Sequence, residues 1–371
     1  MTLSILVDTM ISAKPSEQKD TLEETLGDRL RTLTSISELS EPLNGGRIAC
    51  LACAHRCRLL PGSAGNCTVR FNDQGSLRVP RGYITSLQTD PIEKKPFFHA
   101  LPGSLALSLG MIGCDYHCSF CQNWVTSQAL KDDVKGVSIR TISAEEIVAL
   151  ALDAGAKSIC STYNEPIITV EWAVEIFRLA REAGLATSFV SNGNATPEVL
   201  DYLDPWIDFF KVDLKSFSDT SYRGLGGRLE PVLETIRSLA RMEKWVEIVS
   251  LLIPGFNDSD GELNDIASFI ADVSVDIPWH VTAYRPEYRM EQPEPTPAAT
   301  LLRATEIGRS RGLRHVYAGN MPGRVGAAEN TTCPFCGMVL VERQGFTILA
   351  NHLDGDRCPA CSTVIAGRWN C

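Results

Sequence analysis

The chain has 371 residues, 44% hydrophobic and 22% charged, enough for one barrel-sized domain of about 250 residues and on the order of 100 more. Its formal net charge of -10 argues against a generic nucleic-acid or anionic-membrane surface, since both would repel it at long range. No apolar run approaches the ~18 residues of a membrane span, and the segment Met1-Thr-Leu-Ser-Ile-Leu-Val-Asp8 lacks the basic region and cleavage site of a secretory signal. The 13 cysteines fall in short-spaced groups, which points to metal ligation in a reducing, cytoplasmic compartment rather than to disulfides.

Residues 1–46 carry many charges and no cysteine. Leu22, Leu26, Leu30 and Leu33 recur at helical spacing before Asn44-Gly45-Gly46, which predicts a helical leader. Residues 47–100 form a cysteine-rich, metal-binding segment, with Cys50-Leu-Ala-Cys53-Ala-His-Arg-Cys57 followed by Cys67 beyond a turn-rich stretch. Four soft ligands in a segment too short to build its own core predict a metal site, which zinc or a second iron-sulfur cluster would suit. His55 reads as a solvated loop residue.

Residues 101–328 alternate apolar strand-like runs with amphipathic helices. The strands read as Leu105 to Met111, Ser158 to Thr162, Ala186 to Ser191, Ile207 to Leu214, Val246 to Leu252, Trp279 to Tyr284 and His315 to Tyr317. Ser143 with Glu146 predicts a capping box, Thr196-Pro197 a helix start, and Gly155, Gly184 and Gly312 helix stops. Such alternation implies a parallel sheet covered by helices, an α/β fold best described as a partial (β/α)6-type barrel. Ligands then gather at the carboxyl ends of the strands.

After the first of these strands comes Cys114-Asp-Tyr-His-Cys118-Ser-Phe-Cys121. Three thiolates at this spacing can hold three irons of a [4Fe-4S] cube and leave the fourth iron open, whereas full ligation takes four. The loop resembles the signature of the radical S-adenosylmethionine (SAM) superfamily, in which the amino and carboxylate groups of SAM chelate the open iron. By that resemblance Cys114, Cys118 and Cys121 are the catalytic cluster ligands. Asn164 and Glu165 match the acceptors of the SAM amino group, and Asn192 matches the ribose contact. Asp213, Lys215 and His280 resemble the polar set near the SAM carboxylate, with Phe120 meeting adenine. Each of these alone would pass for a strand-end cap or surface residue.

Further strings narrow the resemblance: Asp90-Pro-Ile-Glu-Lys-Lys-Pro-Phe-Phe-His99, Cys121-Gln-Asn-Trp124, Tyr163-Asn-Glu-Pro166, Val212-Asp-Leu-Lys215 and Asn330-Thr-Thr-Cys333. Together they look like the AmmeMemoRadiSam-system radical SAM enzymes, relatives of pyruvate formate-lyase activating enzymes, from about Cys50 to Trp369. The family implies Memo-like and AMMECR-like partner proteins and a low-potential electron donor of the flavodoxin or ferredoxin type.

Residues 329–371 hold Cys333-Pro-Phe-Cys336 and Cys358-Pro-Ala-Cys361, paired knuckles that predict a zinc-ribbon-like tail. Rubredoxin-type iron uses the same ligands. The tail reads as a partner-docking surface, a lid over the barrel or a stabilising clip. Cys160 reads as a small buried hydrophobe and Cys371 as a terminal thiol. Three functions follow: a radical SAM enzyme acting on an unidentified substrate, an activase that installs a glycyl radical on another enzyme, or a non-enzymatic zinc-binding adaptor. An adaptor has no use for an open-iron cysteine triplet at a barrel mouth.

Overall fold

The alternating runs fold, in this computed structural model describing residues 25–370, into one eight-stranded sheet whose neighbours follow chain order. Its strands are β1 (Ser86–Pro91), β2 (Leu105–Gly110), β3 (Ser158–Ser161), β4 (Ala186–Ser191), β5 (Phe209–Asp213), β6 (Trp245–Leu252), β7 (Trp279–Ala283) and β8 (Val316–Gly319). From β2 to β8 all pairs are parallel, and β1 lies antiparallel on β2. The ladder ends at β1 and β8, so the barrel is partial and open on one side.

Each parallel crossover carries a helix: α1 (Ala144–Asp153), α2 (Val170–Glu182), α3 (Pro197–Leu203), α4 (Leu229–Arg241), α5 (Asp260–Val273) and α6 (Ala298–Ser310). The expected boundary chemistry is present. Ser143 Oγ accepts from Glu146 N at 3.1 Å while Glu146 Oε2 accepts from Ser143 N at 2.8 Å, satisfying two orphan donors at the start of α1. Gly184 and Gly312 follow α2 and α6 at φ 76° and 96°, a conformation glycine adopts without steric cost. Phe189 of β4 packs between Phe177 of α2 and Phe210 of β5, with centroids 5.6 and 5.7 Å away, joining sheet to helix layer.

Strand β1 was not expected from the sequence and lies within the cysteine-rich segment. Ser-Leu-Gln-Thr-Asp-Pro shows no apolar run because the strand sits at the sheet edge, where its closing Pro91 is tolerated. The residues between β1 and β2 thread the barrel. Phe97 meets Phe209, Phe98 meets His280 and Tyr317, and Glu247 of β6 accepts from Phe98 N at 2.9 Å and His99 N at 2.8 Å.

Of the helical leader, the described part is a short helix, Leu26–Thr32, capped by Thr25; Leu22 lies outside the described residues, as does Cys371. The cysteine-rich segment forms small antiparallel sheets pinned to α2 by a buried ion pair. Arg70 donates to Glu171 at 2.5 and 2.9 Å, and Ser37 donates to the same carboxylate at 2.5 Å.

The C-terminal tail packs on the amino ends of the strands. Leu101 N donates to Arg368 O at 2.8 Å just before β2, and Arg368 reaches Glu243 O just before β6. The Arg343 guanidinium donates to Phe98 O at 2.8 Å, and His99 is bonded to Ala366 O at 2.7 Å and to Tyr317. The tail therefore closes the end of the barrel opposite to the cysteine triplet, which is a clip rather than a lid over the mouth.

Candidate active site

The carboxyl ends of β2 to β5 converge on the loop Cys114–Cys121. Gly113 lies at φ 102°, and a Cβ there would stand 3.0 Å from Val69 and 3.1 Å from Cys67 O, so the chain turns tightly under the cysteine-rich segment. Tyr116 N points at Cys114 Sγ at 3.4 Å, and Cys121 Sγ lies 3.2 Å from Ser127 Oγ. Tyr116 is fully buried against Gly227, where an added Cβ would stand 2.3 Å from its ring. Phe120 is buried with its ring 5.8 Å from Phe256, beyond the end of β6.

The ends of β3 and β4 are tied together by one carboxylate. Glu165 accepts from Ser191 Oγ at 2.6 Å, Asn192 N at 2.7 Å and Ile167 N at 3.1 Å. Burial, with the nearby charge of Asp115 adding to it, raises the pKa of Glu165 above the ordinary carboxylate range. Asn164 is bound to the backbone, accepting from Met111 N at 2.9 Å. Asn192 Nδ2 donates to Asp115 Oδ1 at 2.7 Å and lies 4.0 Å from Cys114 Sγ, while Asn194 Nδ2 donates to Asp115 Oδ2 at 2.7 Å.

At the end of β5, Asp213 pairs with Lys211 and with Lys215, the latter at 2.9 Å. Burial opposes ionisation of Asp213, but the two ammonium groups outweigh it and hold the carboxyl below its usual range. Lys215 also acts on Cys118: burial pushes that thiol up to about 12, and Lys215 pulls it back. A buried thiol of this kind becomes a thiolate when a cationic metal centre replaces its proton. The donor set, three cysteines around a polar rim with one balancing lysine, therefore fits an iron-sulfur cluster.

His280 is not part of this rim. It is buried on β7 and bonded to Glu247 at 2.6 Å, clustered with the Phe98 and Tyr317 rings, in the network that leads through His99 to the tail. The expectation that it meets the SAM carboxylate is corrected on that ground. Asp115 was missed; its only signal is a carboxylate set between ligand cysteines.

The sequence signature described as Radical SAM superfamily matches residues 109–269, the span from the end of β2 to α5. The chain is 36% identical over 329 residues to MJ0808 of Methanocaldococcus jannaschii, covering 88% of this chain and 97% of that protein. This protein belongs to the radical SAM superfamily. It is also 24% identical over 222 residues to the pyruvate formate-lyase 1-activating enzyme of Escherichia coli K12, covering 55% of this chain and 89% of the relative. A radical SAM methyltransferase from Sphaerobacter thermophilus aligns over 72% of this chain and 78% of its own at 19% identity, with a TM-score of 0.47. Membership implies a [4Fe-4S] cluster with SAM as its ligand.

A group of cysteines that could hold a metal ion stands apart. The sulfurs of Cys333, Cys336, Cys358 and Cys361 lie within 4.8 Å of one another, with Cys333 to Cys361 and Cys336 to Cys358 both 3.6 Å. Among the described residues, no other set of three or more metal-ligating side chains is drawn so close.

Proposed function

We propose that this radical SAM protein is an enzyme of the AmmeMemoRadiSam type, which reductively cleaves SAM and abstracts hydrogen from a substrate presented by a partner protein. The observation that carries the reading is the cysteine triplet at the carboxyl end of the barrel, ringed by Glu165, Asn192, Asp213 and Lys215. Cys114, Cys118 and Cys121 would hold a cluster that would supply the low-potential electron for cleavage of SAM to methionine and a 5'-deoxyadenosyl radical.

The residues of the chain bind and orient. Lys215 offers an ammonium to the SAM carboxylate, and the Asn164–Glu165 turn and Asn192 offer acceptors to its amino group and ribose, with Phe120 beside the adenine. The subtype rests on the strings at 90–99, 121–124, 163–166, 212–215 and 330–333. Two of those strings meet in space, since Lys95 donates to Tyr163 Oη at 3.0 Å. A Memo-like or AMMECR-like protein is the proposed partner and a flavodoxin or ferredoxin the electron donor, all in the cytoplasm. Zinc is proposed for the tail, because a tetrahedron with Zn–S of about 2.3 Å has edges of roughly 3.8 Å, close to the observed 3.6 Å.

The decisive experiment incubates anaerobically reconstituted protein with SAM and dithionite, with and without the two candidate partners, and quantifies 5'-deoxyadenosine. Deuterium passing from a labelled partner into 5'-deoxyadenosine supports the reading, and no partner dependence with no transfer removes it. The similarity spanning most of a glycyl-radical activating enzyme favours a second reading as an activase. It would appear as a glycyl radical signal on the partner.

A further inference from the structure

Cys50, Cys53, Cys57 and Cys67 take no part in the site above, yet they abut it. Cys53 bridges to Ala195, and Ala54 N donates to Asn194 O at 3.0 Å. Asn194 in turn donates to Asp115 at 2.7 Å, and Asp115 follows Cys114 in the chain. One short run of hydrogen bonds thus joins the two cysteine groups. The four thiols share one neighbourhood: Cys53 lies in the field of Cys50 and Cys67, Cys57 in that of Cys50, and three of the four are buried.

One further feature points to a bound group. Arg70 Nε is buried without a hydrogen-bond partner, and the guanidinium lies in the field of Cys50 and Cys67. The Nη atoms of Arg70 are spent on Glu171, Ser37 and Ile168 O, so Nε–H is the donor left over. Orphaned buried donors are costly and call for an acceptor. The spacing selects the acceptor. The tail cysteines are drawn together as a single ion demands, whereas the N-terminal four are not. A cube spreads its thiolates because each holds a different iron, and its sulfides accept hydrogen bonds.

We propose that Cys50, Cys53, Cys57 and Cys67 hold a second, fully thiolate-ligated [4Fe-4S] cluster that relays single electrons to the cluster of Cys114, Cys118 and Cys121. It takes one electron from a low-potential donor and is reoxidised as the SAM-binding cluster is reduced. The relay role rests on the SAM-cleaving reading of the central loop; the presence of the cluster does not.

The test uses full-length protein reconstituted anaerobically with iron and sulfide. Wild type should hold about eight irons per chain rather than about four, and the C114A/C118A/C121A variant should keep about four, with an electron paramagnetic resonance signal after dithionite reduction. Wild type with about four irons and a second equivalent of zinc overturns the proposal, as does a folded triple variant free of iron. For the relay, C50S/C67S protein that retains the SAM-binding cluster should form 5'-deoxyadenosine at least tenfold more slowly under limiting reductant, and an unchanged rate refutes it. Failure of the SAM-cleaving reading has a different signature: no 5'-deoxyadenosine from wild type, whatever its iron count.

Discussion

Glu165→Gln isolates the carboxylate that joins the ends of β3 and β4. The native group accepts three hydrogen bonds, Ser191 Oγ and Ile167 N on Oε1 and Asn192 N on Oε2. A glutamine can keep its oxygen toward Ser191 and Ile167, but its NH2 then faces Asn192 N–H where 2.7 Å separated donor from acceptor. One buried N–H is left unpaired, which costs about 1–3 kcal/mol. The displaced Asn192 also carries the contact to Asp115 beside Cys114, so the loss reaches the SAM site. Urea denaturation should report the stability loss, and because the SAM ammonium separately loses a charged acceptor, worth about 1–3 kcal/mol, anaerobic titration calorimetry should show SAM binding weakened roughly 5- to 150-fold. A variant with wild-type stability and wild-type SAM affinity would show that Glu165 positions nothing.

Gly227→Ala places a Cβ 2.3 Å from the Tyr116 ring inside the cluster loop; it should cost about 1–3 kcal/mol and lower iron incorporation, both measurable on reconstituted protein. Cys358→Ser should release metal from the tail and lower the melting temperature by removing the clip over Phe98 and His99. Its 5'-deoxyadenosine formation per folded molecule should stay near wild type, because the tail lies at the opposite end of the barrel. Burial holds His315 down to about 4 from 6.5, so the unfolded chain binds its proton more readily. Stability should therefore fall as pH drops from about 6.5 toward 4, by up to about 3 kcal/mol from this residue, and His315→Phe should flatten denaturation midpoints across that window.

The parallel strands were legible because both faces of a helix-covered sheet are apolar, so β3 and β4 read as buried runs. The tail cysteines were legible by spacing alone, and their four sulfurs lie within 4.8 Å of one another. Strand β1 was not, because an edge strand ending in Pro91 buries little and repeats no pattern. The run Asp90–His99 could be read as a string but not as a barrel plug, since its partner Glu247 lies almost 150 residues away along the chain. His280 failed for the same reason: a polar residue on a strand has no sequence mark saying which end of the barrel its partner occupies. The pairing with Glu247 at 2.6 Å settles that only in three dimensions.

The proposed chemistry stands or falls with Cys114, Cys118 and Cys121 as ligands of the cluster that cleaves SAM. The most direct measurement compares 5'-deoxyadenosine formation by anaerobically reconstituted wild type and the C114A/C118A/C121A variant, with SAM and dithionite in excess. Wild type should give product and a folded variant none above background, whereas product formed by the variant at the wild-type rate would rule out these cysteines as the ligands.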